Sequence, residues 1–248
     1  MPFPRIGAEF HVRTSHPRAE TDEACRAIEP WRMRVQFDNG TDTATFRTYE
    51  PFNAFPLRKL DLLSRNVDFE RFRGGRVLDV GCNAGYNSLC MAQRFACDVT
   101  GIDNDEANLT KARTITRLAG NAGNLDFQIA DANAYRRDGE FDLIIHFGTL
   151  YHLHDIVSSL RNMARSLKPG GRFLLETITH HGADEYECRF IHGLNGDRSN
   201  YWAPSKRTIG HLLGEEGVEP EVEYRDFDIG LLEGTTMKRS IAGFRKRD

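Results

Sequence analysis

The stretch from Arg76 to Gly85, reading Arg-Val-Leu-Asp-Val-Gly-Cys-Asn-Ala-Gly, constrains this chain more than any other. Val77, Leu78 and Val80 make a short apolar run with β-branched members, the mark of a buried strand. The run breaks at Gly81, and Gly85 follows four positions on, just before a helix-capable segment from Asn87 to Phe95. Strand, glycine turn and helix start form a corner suited to a ligand. Glycine permits a sharp turn and close backbone approach, and a helix N-terminus offers unpaired N–H groups. The spacing is not the G-x-G-x-x-G of dinucleotide sites. Instead Asp79 stands at the strand end, with Cys82 and Asn83 between the two glycines. A carboxylate there repels a pyrophosphate and suits a cationic amine.

Around this corner the elements alternate. Asp98–Ile102 reads as a second strand ending at Asp103, and Glu106–Leu118 as a helix capped by Asp105, with Leu109, Ala112, Ile115 and Ala119 on one face. Gly120 to Gly123 breaks the chain before a third strand, Leu125–Ala130. Phe141–Phe147 is a fourth, whose unbroken Leu143-Ile144-Ile145 suits a central parallel position. A helix with a clear apolar stripe starts near Asp155, Pro169-Gly170-Gly171 ends it, and Arg172–Glu176 is a fifth strand. The class is therefore α/β, a doubly wound and mostly parallel sheet. The tail differs: Ser205–Gly217 reads as a helix, and Val222–Phe227 and Ser240–Phe244 as an antiparallel pair joined by a loop.

Upstream, Arg18–Ile28 is helix-capable, Val35–Phe46 flanks the turn sequence Asp38-Asn39-Gly40 as a hairpin, and Leu57–Val67 has the spacing of an amphipathic helix. Residues 1–56 thus read as an N-terminal extension serving as a lid, and 57–248 as the main domain. The irregular, aromatic and His-rich stretch 179–203 reads as a second, substrate-side lid. A chain of 248 residues with net charge −3 gives no general electrostatic pull toward nucleic acid. No apolar run approaches a membrane span, and the N-terminus lacks a signal-peptide core. Five cysteines without a C-x-x-C pair point to a reducing, cytoplasmic setting.

In open parallel sheets, ligands sit at the carboxyl ends of the strands. Asp79, Asp103, Asp131 and His146 lie at or near four such ends. Asp103, with Asn104 beside it, follows Asp79 at close to the spacing of a ribose-binding acid, and a carboxylate can accept both ribose hydroxyls. Asp131, followed by Ala132, is placed to take an adenine amine. With a cationic amine at Asp79, these features point to S-adenosylmethionine rather than NAD. Candidate catalytic residues follow the fourth strand (Tyr151, His152, His154) and the fifth (His180, His181). Tyr151 would contact the substrate, and one histidine would take a proton. His152-x-His154-Asp155 supplies too few ligands for a metal site.

Five motifs in order, from Val77 to Gly85, Gly101-Ile102-Asp103, Asp131-Ala132, Phe141-Asp-Leu-Ile and Leu167-Lys-Pro-Gly-Gly, resemble those of class I S-adenosylmethionine-dependent methyltransferases over about Arg76–Glu176. The resemblance implies seven strands, the last antiparallel. Asn83 departs from the glycine often found there, and Asn tolerates unusual backbone angles. Gly148–His152, Leu175-Glu176-Thr177, Asn200–Ser205 and Trp31–Thr45 also look like the wobble-uridine tRNA methyltransferase family. That narrower likeness implies a tRNA partner and a carboxylated cofactor. The expectation adopted is methyl transfer to oxygen or nitrogen of a small-molecule acceptor. The alternatives are tRNA wobble-uridine modification and a non-catalytic cofactor-binding regulator.

Overall fold

A computed structural model describes residues 3–7, 9–120, 124–181, 186–227 and 236–248. The chain divides into two compact units, Met1–Ile129 and Ala130–Asp248. In the first, α1 (Arg18–Arg26) and α2 (Arg58–Leu63) precede β1 (Arg76–Val80), α3 (Tyr86–Phe95), β2 (Asp98–Asp103), α4 (Glu106–Leu118) and β3 (Leu125–Ile129). These three strands run parallel, with Asp79 opposite Gly101 and Gly101 opposite Phe127. Val77, Leu78, Val80, Leu89, Ile102, Leu109 and Ile115 are buried between sheet and helices. Each such side chain contributes about 1.5–3 kcal/mol relative to exposure. Asp105 caps α4 by accepting from Ala107 N at 2.9 Å.

The hairpin expected around Asp38-Asn39-Gly40 is only a tight turn closed by one antiparallel bridge, Gln36 to Asp42. The strands flanking it are taken by other partners. Gln36–Phe37 pairs parallel with His11–Val12, and Trp31–Met33 pairs parallel with Thr48–Asn53.

The second unit holds β4 (Phe141–Phe147), α5 (Ile156–Ser166), β5 (Leu167–His180), α6 (Lys206–Gly214), β6 (Val218–Phe227) and β7 (Met237–Lys246). β4 and β5 are parallel, and β7 is antiparallel to both β5 and β6. The seven strands form one sheet in the order β6-β7-β5-β4-β1-β2-β3, mostly parallel and flanked by helices. β5 runs four residues past the expected Glu176 because β7 pairs along it as far as His180, opposite Met237. Its continuation, Thr177-Ile178-Thr179, is β-branched throughout.

The stretch 179–203 is less irregular than its composition suggests. Thr179 and His180 finish β5, and Cys188–Phe190 pairs antiparallel with Trp202–Pro204. The break expected through Gly123 and the loop before the last strand fall largely on 121–123 and 228–235, outside the described residues. Among the described residues, no helix is long and apolar enough to cross a membrane, and no cluster of three or more His, Cys, Asp or Glu could hold a metal.

Candidate functional site

In the first unit the corner is built almost wholly from backbone. Gly81 and Gly85 sit at φ 67° and 72°, and Asn83, at φ 51°, takes the left-handed conformation its side chain tolerates. Gly85 also has no room for a side chain, since a Cβ there would lie 2.7 Å from Phe127 Cζ and 3.1 Å from Ala112 Cβ. The loop's N–H groups are all engaged within the protein. Gly81 N and Cys82 N donate to Ile102 O at 2.8 and 3.0 Å, and Gly85 N donates to Cys82 O at 2.9 Å. Asn83 N donates to Asp103 Oδ2 at 2.9 Å, and Ala84 N to Asn83 Oδ1 at 2.8 Å. A phosphate cradle needs such groups unpaired and turned outward. This loop has none to give, which separates it from a pyrophosphate site on chemistry rather than spacing.

What the corner does present is negative charge. Asp79 is buried at the end of β1 and accepts from Ser88 Oγ at 2.6 Å. Burial pushes its pKa up to about 6; the Ser88 bonds pull it back and the charge of Asp103 adds to the rise. Asp103 is tethered at both oxygens, Oδ1 accepting from Asp105 N at 3.0 Å and from Asn108 Nδ2 at 3.2 Å. Four lone-pair directions leave Asp103 capacity beyond these bonds. Asn87 Oδ1, in the first turn of α3, is buried with no partner among the described residues. Asn104 is exposed. Cys82 turns its thiol into an apolar cluster with Leu109, Ala112 and Phe127, and burial raises its pKa well above normal. It is a core residue.

The other expected residues belong to the second unit. Asp131 is exposed and accepts from Asn133 N and Nδ2 at 2.9 and 2.7 Å, while the neighbouring Ala132 is buried. His146 is fully buried, with its ring 6.0 Å from that of Phe173 and both nitrogens without a hydrogen-bond partner among the described residues. Burial lowers its pKa to about 4, so it is neutral. Side chains alternate along a strand. Phe147 lies opposite Glu176 in the register, so His146 faces the other side of the sheet from Glu176.

Tyr151 sits in the short helical turn Leu150–His152, buried against Ile178, Ile191 and Ala203. Its hydroxyl accepts from Arg239 Nη1 at 2.8 Å, and the guanidinium carbon lies 4.8 Å from its ring centroid. Arg239 grips Glu176 with its fork: Nε donates to Oε1, and Nη2 donates to Oε2 at 2.6 Å. Glu176 has no exposed surface at all. Burial opposes the Arg239 charge, but Glu176 more than offsets this, so Arg239 stays protonated. His152 packs its ring 4.2 Å from Tyr151, with Nδ1 3.0 Å from Ser199 Oγ. His154 lies 4.4 Å from the Tyr201 ring. His180 places Nδ1 3.0 Å from Glu187. His181 Nε2 stands 3.3 Å from Asp226, which also receives Lys206. The structure thus groups Tyr151 with His152, and gives His154 and His181 partners of their own.

Glu176 and Arg239 escaped the sequence reading as site residues. The available signal was Glu176 itself, an acid inside Leu174-Leu175-Glu176-Thr177-Ile178, since a buried charge needs a partner. Nothing local marks Arg239 as that partner.

Comparison with known proteins gives a consistent picture. Over 125 residues the chain is 39% identical to the ubiquinone biosynthesis O-methyltransferase of Pseudomonas aeruginosa (strain UCBPP-PA14), covering 50% of this chain and 53% of that protein. The chain therefore spans about half the length of the Pseudomonas relatives. With the enzyme of the same name from Ruegeria pomeroyi (strain ATCC 700808 / DSM 15171 / DSS-3) it shares 30% over 191 residues, 69% of this chain and 75% of the other. Among solved structures, the N-terminal domain of EvdMO1, crystallised in the presence of SAH and D-fucose, superposes with a TM-score of 0.68 at 20% identity, over 94% of this chain and 98% of that one. Phosphoethanolamine N-methyltransferase 2 of Haemonchus contortus, in complex with S-adenosyl-L-methionine, gives 0.58 at 18% identity, over 72% and 51%. The model of the methyltransferase domain family matches residues 72–215, more than half of the chain, and the chain belongs to that family.

Proposed function

We propose that this chain is an S-adenosylmethionine-dependent methyltransferase moving a methyl group to an oxygen or nitrogen of a small-molecule acceptor. The observation that carries the reading is the corner at β1 and β2. It offers two anchored carboxylates, one of them buried, and a glycine loop whose amides are already engaged. Such a donor set fits a cofactor with an ammonium group and a ribose diol, and does not fit a pyrophosphate. The open acceptor at Asn87 Oδ1 adds a further polar contact point. The names of the relatives support a small acceptor over a tRNA.

When bound, S-adenosylmethionine supplies a methyl group already activated on a sulfonium. The chain's own task is to bind, orient and exclude water. Asp79 holds the cationic amine, Asp103 takes the ribose hydroxyls, and Asp131 with Ala132 serves the adenine edge. Holding the acceptor atom about 3–3.5 Å from the methyl carbon supplies much of the rate. Tyr151 contacts the acceptor, and His152, beside it, or His154 removes a proton from a neutral hydroxyl or amine, worth about 10²–10⁴-fold. The division into a 1–56 extension and a 57–248 domain, with 179–203 covering the acceptor, is part of the same reading.

Calorimetric titration with S-adenosylmethionine, S-adenosylhomocysteine and NAD tests it. Binding of the two adenosyl ligands without NAD supports the reading. Absence of adenosyl binding overturns it.

A further inference from the structure

Two cations in the first unit share one aromatic ring and no acid. Trp31–Met33 pairs parallel with Thr48–Asn53, Trp31 opposite Thr48, which brings the next residue of each strand, Arg32 and Tyr49, together. The Arg32 guanidinium carbon lies 4.5 Å from the Tyr49 ring centroid, and Lys111 Nζ, from α4, lies 6.0 Å from the same centroid. Among the described residues, neither cation has an ion pair or a side-chain hydrogen bond. The arginines two residues further along each element do otherwise: Arg34 donates to Asp42 at 2.8 Å, and Arg113 pairs with Glu106. Arg32 and Tyr49 are exposed, so the group opens to solvent. Lys111 is the opposite, with only 7% of its surface exposed. Lysines buried to that degree are nearly always paired. Burial lowers the Lys111 pKa, the Asp105 charge pulls it back, and the Arg32 charge adds to the fall.

An unpaired ammonium is a costly way to fill that place on α4. A Met of similar length would cover the same apolar surface with no charge to desolvate. Attraction to a ring face is weaker than a charge-assisted hydrogen bond, and one ring here serves two cations that repel each other. The geometry points to an oxyanion site formed by Lys111 and Arg32 beside Tyr49, whose ligand is the dianionic phosphate of a small phosphomonoester. Two positive charges match a dianion, whereas a carboxylate or a phosphodiester would leave one of them unbalanced. The Arg32 fork can donate to two phosphate oxygens and Lys111 to a third. On α4, Lys111 stands three residues beyond Asn108, which tethers Asp103, so the site borders the corner without using its residues. It goes beyond the methyltransferase reading and does not rest on it.

The test titrates the full chain calorimetrically with inorganic phosphate, dimethyl phosphate and acetate, all at one ionic strength. At about pH 7.5 inorganic phosphate is mostly dianionic and the other two carry one charge. Inorganic phosphate is expected to bind at least ~10-fold tighter than either monoanion, the worth of one charge-assisted hydrogen bond. Lys111→Met, which keeps the buried length, and Arg32→Gln, on the surface, should each weaken phosphate binding ~10-fold or more. Phosphate should also slow the reductive methylation of Lys111 by formaldehyde relative to other lysines, because a bound ammonium has no free electron pair. If Lys111→Met does not fold, Arg32→Gln and this protection carry the test. Absence of saturable phosphate binding overturns the inference, as does unchanged affinity in Arg32→Gln. Acetate or dimethyl phosphate binding as tightly as phosphate overturns it too. None of these outcomes turns on S-adenosylhomocysteine, whose binding separately decides the functional reading.

Discussion

The corner at β1–β2 and the Tyr151 cluster solve the same problem, fixing polar groups inside a protein, in opposite ways. In the corner, carboxylates are held by backbone N–H groups, a short hydroxyl and the Asn108 side-chain amide, all within residues 79–108. In the cluster, side chains hold one another across 63 and 88 residues of sequence. Backbone anchoring survives many side-chain changes and depends on a few glycines. Side-chain anchoring tolerates backbone variation and fails when one partner is lost.

The largest effect should come from breaking the cluster. Arg239→Ala removes the guanidinium fork from the buried Glu176 charge, at a cost of about 3–5 kcal/mol in urea unfolding. Replacing both with apolar residues of similar volume (Glu176→Leu with Arg239→Met) should recover most of it. If the single variant loses under about 1 kcal/mol, the pair is not the anchor described here.

Glycine substitutions sharpen the other side. Gly85→Ala combines a positive φ with a Cβ 2.7 Å from Phe127, and should cost about 2–4 kcal/mol. Gly101→Ala meets the same ring at 2.6 Å, from a φ outside the left-handed region. Phe127→Leu should therefore rescue Gly101→Ala more fully than Gly85→Ala. Equal rescue in thermal unfolding would show that packing alone, not backbone conformation, fixes the loop.

Asp103→Ala should weaken S-adenosylhomocysteine binding about 10- to 100-fold, since it removes hydrogen bonds to a charged acceptor and frees Asn83 N and Asp105 N. Calorimetry checks this, and unchanged affinity would remove Asp103 from the site.

A smaller and graded effect is expected from pH. Asp79 must be ionised to hold a cation, and its pKa is raised to about 6. Affinity should therefore fall as pH drops below about 6, by up to roughly tenfold per unit, and Asp79→Asn should flatten that dependence. The free protein should behave in the opposite sense. A carboxyl whose folded pKa lies above its unfolded value binds its proton more tightly when folded, so its contribution to stability is present at low pH and lost as pH rises through about 6. Chemical unfolding at pH 5 and pH 7 measures that trend.

The same contrast explains what could be read in advance. β1, α4 and β4 follow from local apolar spacing and caps, and the corner's roles from residue types a few positions apart. The expectations that the structure corrects depended on partners distant in sequence. β5 runs to His180 only because β7 lies beside it, and the Asp38–Gly40 turn carries no full hairpin because its flanking strands pair elsewhere. Which side of the sheet His146 faces is likewise set by register with β5, not by its own place near a strand end. Arg239 was invisible for the same reason.

The order in which the pieces are synthesised matters as well. Glu176 leaves the ribosome long before residue 239 exists, and until β7 docks, an acid destined for the dry interior has only water for company. A chain released early, or one whose last strand is slow to find its edge, would hold the second unit open around that charge. The Glu176–Arg239 contact thereby ties completion of the sheet to the arrival of one late residue.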